Sequence, residues 1–325
     1  MRRREFIAGL GGTMAWPVVA RTQQLALPVV GVLHSQASTE VTRPYIAALH
    51  SGLAETGYVD GRGATVEYRW ADNRYGRLPD LAADLVRRRA AVIVTLPGTP
   101  TALAAKSATQ TIPIVFYIGT DPVEYGLVES WARPGRNVTG FTTLTKEVIP
   151  KRIGLLLEVA PAARLIAFLF NPTNVSSETE DVQRAARIRG IQVMMEEASH
   201  PSDIEPAFEK MAHQQARALV VSADGFFKDQ FDKIGALAAR HAMPSIFNTR
   251  LGVIRGGLLS YGVNDVEVHR QVGIYAGRIL RGEKPADLPV QQPTKLQLAI
   301  NLKTAKAIGL TVPNTLLVSA DDVIE

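Results

Sequence analysis

At 325 residues the chain is too long for one comfortable hydrophobic core and suits two domains of ordinary size. Its 46% hydrophobic and 21% charged content excludes a disordered or fibrous protein. Arg2, Arg3 and Arg4 less Glu5 account for +2 of the formal +5, leaving +3 with no basic stripe downstream, so nucleic acid is not an expected partner. The absence of cysteine removes disulfides, zinc-thiolate sites, iron–sulfur clusters and cysteine nucleophiles together.

Residues 1–24 read as an export signal. Arg2-Arg3-Arg4 precedes Phe6-Ile7, a mildly apolar stretch from Ala8 to Ala20 and the polar Arg21-Thr22-Gln23-Gln24. The paired arginines before a bulky apolar pair follow the twin-arginine pattern. The apolar stretch falls short of the roughly 20 residues a bilayer span needs, so a removable signal is expected rather than an anchor.

From Pro28 the pattern alternates between strand and helix. Val29–Ser35 reads as a strand, Arg43–Thr56 as a helix stopped at Gly57, Thr65–Trp70 as a strand and Leu78–Arg89 as a helix. Ala91–Leu96, closed by Pro97-Gly98, and Ile112–Ile118 read as buried strands flanking a helix over Thr99–Ala108. The grammar then restarts: helices over Val148–Val159, Val182–Arg189, Ile204–Gln214, Phe231–His241 and Val266–Arg281 alternate with strands. Those strands are Leu165–Phe170, Ile191–Glu196, Ala218–Ser222, Ser245–Asn248 and Leu258–Tyr261. The expected fold class is α/β: two doubly wound parallel-sheet lobes with a ligand cleft between them, the ligand lying beyond the carboxyl ends of the strands.

Enzyme motifs are missing. No P-loop, nucleophile elbow or His-Glu-x-x-His occurs, and the six histidines are scattered, so no catalytic residue, metal or cofactor is assigned. His34, at the end of the first strand, is the one histidine placed where a cleft residue would sit. The strand ends themselves are small and polar. Ser35 follows the first strand, Gly98-Thr99 the third and Asp121 the fourth, while Asn171 and Asp224 hold corresponding positions in the second unit. Such turns present backbone amides suited to a carboxylate, and Asp121 and Asp224 are the candidates for an ammonium group. Any strand-to-helix turn also needs turn formers and caps, so each loop alone carries little weight.

Several segments resemble the family of periplasmic ABC-transporter substrate-binding proteins that includes the tryptophan/tyrosine-type binders. They are Arg3-Arg4-Glu5-Phe6-Ile7-Ala8-Gly9, Thr111–Phe116, Asp121–Val128, Arg133–Gly140, Gly256–Gly262, Pro285–Pro293 and Asn301–Lys306. The resemblance runs nearly end to end and implies a type I periplasmic-binding fold. It implies a first lobe of 28–145 plus 257–286 and a second of 146–256 plus 287–325, with hinges at Thr142–Lys146, Arg255–Gly257 and Lys284–Leu288. It also implies a monomer that captures a small solute, often an amino acid, for an ABC permease of the inner membrane, with contacts from Ser35, Thr99, Asp121, Asp224 and Tyr261. The competing reading is a two-lobed α/β enzyme such as a nucleotide-sugar transferase, for which Arg133 and Arg136 are the only phosphate-clamp candidates.

Overall fold

The computed structural model describes residues 27–176 and 178–325; the export signal expected over 1–24 lies outside the described residues. The first lobe is built on β1 (Val29–His34), β2 (Val59–Asp60), β3 (Gly63–Trp70), β4 (Val92–Leu96), β5 (Ile114–Ile118) and β6 (Val138–Thr142). They pair in the order β2-β3-β1-β4-β5-β6, all parallel. The helices α1 (Arg43–Glu55), α2 (Leu78–Arg87) and α3 (Thr99–Ala108) connect them. Strands β1, β4 and β5 are buried along nearly their whole length, as a sheet covered on both faces requires.

The second lobe opens with α4 (Thr145–Val159), β7 (Leu165–Phe170), α5 (Thr179–Ile188), β8 (Gln192–Glu197), α6 (Ile204–His213) and β9 (Leu219–Val221). It continues through α7 (Gly225–Lys228), α8 (Phe231–Arg240), β10 (Ser245–Phe247), α9 (Arg250–Ile254) and β11 (Leu259–Val263). After α10 (Asp265–Leu280) it is completed by β12 (Leu296–Asn301), α11 (Leu302–Ala307), α12 (Asn314–Ser319) and β13 (Asp322–Ile324). Its sheet runs β13-β12-β11-β10-β9-β7-β8, with the β11–β12 pair antiparallel and the rest parallel.

Two of the expected crossings sit elsewhere. Strand β11, expected in the first lobe, pairs with β10 and β12 in the second sheet, so the chain returns to the first lobe between Val263 and Asp265. Arg255–Gly257 stays inside the second lobe, where the Gly257 amide donates to the Gly252 carbonyl at 2.8 Å. Lys284–Leu288 stays inside the first, because the Leu288 carbonyl accepts from Thr139 Oγ1 at 2.6 Å. Gln291 still pairs beside β6, and the final crossing is the stretch from there to β12. The chain passes from β6 in the first sheet to α4 through Thr143 and Leu144.

Helix α10 belongs to the first lobe because glycines let it lie against α1. A Cβ on Gly52 would stand 1.9 Å from the Arg270 carbonyl oxygen, and one on Gly273 2.2 Å from that of Leu49. Leu49, Leu53, Val268 and Val272 form one buried cluster across this contact. Among the described residues no helix is long and apolar enough to cross a membrane.

Candidate functional site

Between the lobes lies a cavity walled by the carboxyl ends of strands from both sheets. From the first lobe, β4 delivers Gly98 and Thr99, β5 delivers Gly119 and Thr120, and the turn after β3 delivers Tyr75. From the second, β9 delivers Asp224, Gly225 and Lys228, β10 delivers Asn248, and the turn after β7 delivers Asn174. Its free volume is ≈ 50 Å³.

The first-lobe wall is a hydroxyl cluster at a helix start. Gly98 takes φ 101°, a left-handed conformation that suits glycine, and caps α3 with the cavity at its N-terminal end. Thr99 and Thr120 are buried and share a hydrogen bond of 2.9 Å between their hydroxyls, and Thr145 Oγ1 donates to the Gly119 carbonyl at 2.9 Å.

The second-lobe wall carries the charge. Asp224 ends β9, caps α7 by accepting from the Phe226 amide at 2.8 Å, and is buried. Its other partners are Asn174 Nδ2 at 2.7 Å, Asn171 Nδ2 at 3.5 Å and, from the opposite lobe, the Tyr75 hydroxyl at 2.8 Å. Burial raises its carboxyl above the ordinary carboxylate range, with these donors pulling the other way. Lys228, also buried, pairs with Asp265, the first residue of α10, and stands 5.3 Å from the Tyr45 ring centroid. Burial opposes the ammonium, but Asp265 outweighs it and raises the Lys228 pKa. Asp265 in turn is lowered: burial works against its charge, and Lys228 and His269 overcome that. Tyr117 donates to Asp265 at 2.5 Å.

The structure gathers part of the predicted set. Gly98, Thr99 and Asp224 line the cavity. Ser35 lies behind it, bonded to the Pro97 carbonyl at 3.1 Å, and Asn171 supports Asp224 from the side. Asp121 does not line the cavity: its Oδ1 accepts from the Val123 amide at 2.8 Å and the Trp131 indole at 3.3 Å, closing its own turn. Tyr261 packs on the second-lobe core, and its carbonyl accepts from Arg152 Nε at 2.8 Å. Arg152 is fully buried on α4, and burial lowers its pKa to about 10.

Tyr75, Thr120, Asn174, Lys228 and Asn248 had no signal in the sequence beyond their nearness to strand ends. The Asn248 Oδ1 atom is buried without a hydrogen-bond partner among the described residues and lines the cavity, an acceptor free for a solute donor.

His34 does not reach the cavity lining. Its Nδ1 accepts from the Gln36 amide at 3.2 Å, and its ring packs on Trp70 with centroids 4.6 Å apart. His269 Nδ1 lies 2.6 Å from the Asp265 carbonyl oxygen, which requires the proton on Nδ1. Burial pushes His34 well below its ordinary value and His269 to about 4. Both are therefore neutral in the folded state near pH 6, while the unfolded chain takes up protons below about 6.5. Each makes stability fall as pH drops from about 6.5 towards its folded value, and the raised Asp224 carboxyl works with the opposite sign. A proton NMR titration tests this: the His34 and His269 imidazoles are expected to show little or no shift between pH 7.5 and 5. Ordinary titration of these two would refute the assignment.

The family model described as "ABC transporter substrate binding protein" matches residues 38–324. A curated relative, the tyrosine-binding protein of Clostridioides difficile, is 27% identical over 260 residues, covering 79% of this chain and 74% of the relative. A solved conserved domain protein from Vibrio cholerae superposes with a TM-score of 0.83 at 27% identity, over 91% of this chain and 99% of that one. The ABC domain from Streptococcus pneumoniae in complex with L-Trp gives 0.82 at 24% identity, over 92% and 100%. The fold is the type I periplasmic-binding fold, and the chain belongs to the ABC transporter substrate-binding protein family.

Proposed function

We propose that this chain is the extracytoplasmic solute-binding component of an ABC importer, delivered by its N-terminal signal and working as a monomer that closes on an amino acid. The observation that carries the reading is the inter-lobe cavity, lined by Thr99, Thr120 and Asn248 and holding one buried carboxylate and one buried ammonium. With Asp224 and Lys228 on the second-lobe wall, Lys228 neutralised by Asp265, and hydroxyls on the first-lobe wall, the cavity suits a polar solute. A solute carboxylate fits the start of α3 beside the Thr99 hydroxyl. A solute ammonium fits Asp224, where it replaces the Tyr75 hydroxyl. The solute then takes over the inter-lobe acceptor that Tyr75 holds, and its contacts with both lobes replace that one bond. The names of the relatives, which include tyrosine and L-Trp binding, support an amino acid.

The mechanism is a population shift. Closure is favoured by the contacts a solute makes with both lobes at once, and a permease reads the paired lobe surfaces. The test is thermal unfolding of the chain from Gln23 with a panel of L-amino acids, small carboxylates, sugars and nucleosides. A bound solute at about a hundred times its dissociation constant is expected to add roughly 2.7 kcal/mol and raise the midpoint by several degrees. Stabilisation by sugars or nucleosides and by no amino acid would overturn the proposal.

A further inference from the structure

Two short segments face each other across the cleft rim. In the first lobe, Asp72 and Asn73 take left-handed backbone angles (φ 54° and 58°) in consecutive positions. The Asp72 amide donates to the Gln36 carbonyl at 3.3 Å and the Asn73 amide to that of Ser35 at 2.8 Å. Asn and Asp tolerate this conformation better than other residues with a Cβ, and such turns persist only where surrounding bonds fix them. In the second lobe, Phe226 and Phe227 sink into the core and hold Asp229 at the end of α7. Asp229 Oδ2 accepts from Asn73 Nδ2 at 2.7 Å, and Oδ1 accepts from Gln36 Nε2 at 3.2 Å and Thr39 Oγ1 at 3.5 Å. Every one of these donors belongs to the opposite lobe. Neither Asn73 nor Asp229 lines the cavity. Beneath them the lobes are in close contact: a Cβ on Gly225 would stand 2.9 Å from Ser35 Oγ.

We propose that Asp229 and Asn73 form a closure clasp, a pair of positioning residues that sets the open–closed equilibrium, and through it solute affinity, without touching the solute. A carboxylate that accepts three hydrogen bonds across the rim favours the closed arrangement whether or not the cavity is filled. Opening exposes Asp229 to water and frees Asn73, so the two residues act as one unit. The proposal rests on the lobe-closure reading above.

The chain contains no cysteine, so Asp80→Cys in the first lobe and Glu209→Cys in the second, both exposed, supply the only labelling sites for spin labels. The inter-lobe distance distribution is measured with no solute added, in the otherwise native chain and with Asn73→Ala, Asp229→Ala or both. Each single substitution is expected to move the closed-to-open ratio about tenfold towards open, the scale of one hydrogen bond to a charged group. The double substitution is expected to go no further than Asp229→Ala alone. Circular dichroism melts confirm that the lobes remain folded. A distribution unchanged by either single substitution, or a double effect equal to the sum of the singles, would overturn the clasp. Because no solute is present, failure here leaves the binding function standing. A failed solute panel, in turn, leaves the clasp standing.

Discussion

Lys228→Met is expected to weaken solute binding by two to three orders of magnitude, the larger of the two strongest effects anticipated here. Lys228 Nζ and the Asp265 carboxylate are both buried in the closed form, the lysine on the second lobe and the aspartate at the start of α10 on the first. Removing one partner of a buried pair leaves an uncompensated charge, at a cost of about 3–5 kcal/mol. Tyr117 still donates to Asp265, but a single hydroxyl does not replace an ammonium. Opening lets water reach the aspartate, so the loss falls on the closed form and is read as affinity. Adding Asp265→Asn to Lys228→Met removes the orphan charge and is expected to restore most of the binding. Titration of both variants with the stabilising amino acid decides it: equal loss in the single and the double variant would mean that Lys228 contacts the solute directly.

Asp224→Ala is expected to weaken binding about a hundredfold, and Asp121→Ala by less than threefold. Asp224 is an inter-lobe acceptor, the cap of α7 and the anchor of Asn174 and Asn171; its loss leaves these buried donors without their acceptor. Hydrogen bonds to charged groups contribute roughly 1.5–3 kcal/mol each, and an amino acid ammonium loses its partner as well. Asp121, although it follows β5 as Asp224 follows β9, spends its carboxylate on its own turn. Comparable losses in the two variants would contradict the cavity described here.

That contrast marks how far the sequence alone reaches. The alternation of short apolar runs with helical spacing is enough to place the first-lobe strands β1, β3, β4 and β5 and the four longer helices of the second lobe, α4, α5, α6 and α8, since burial leaves its mark on composition; the two-residue β2 and the short α7, α9, α11 and α12 leave no such pattern. Strand β6 escapes because Thr139-Gly140 interrupts its apolar run; a Cβ on Gly140 would stand 2.1 Å from the Phe116 carbonyl oxygen, so close pairing with β5 demands glycine. The assignment of β11 to the first lobe fails for a different reason. Which sheet a strand joins is decided by pairing with β10 and β12, and the antiparallel β12 carries no helical alternation to announce it.

The site follows the same rule. Gly98, Thr99 and Asp224 are legible as cavity-lining residues because the carboxyl ends of strands in open α/β sheets wall the crevice. Asp121 occupies the same kind of position, and only the direction of its side chain separates it from Asp224. Tyr75, Lys228 and Asn248 reach the cavity by folding of turns and short helices that a linear pattern does not encode. Lys228 in particular looks like any cation in the last turn of a helix, until Asp265 is brought to it from 37 residues away.

The most direct test of solute capture between the lobes is a crystal structure of the chain from Gln23, grown in a mixture of the twenty L-amino acids. One amino acid should occupy the inter-lobe cavity, its carboxylate at the start of α3 beside Thr99 and its ammonium against Asp224, with Tyr75 displaced from that carboxylate. Closed lobes holding only water, with Tyr75 still bonded to Asp224, would contradict it.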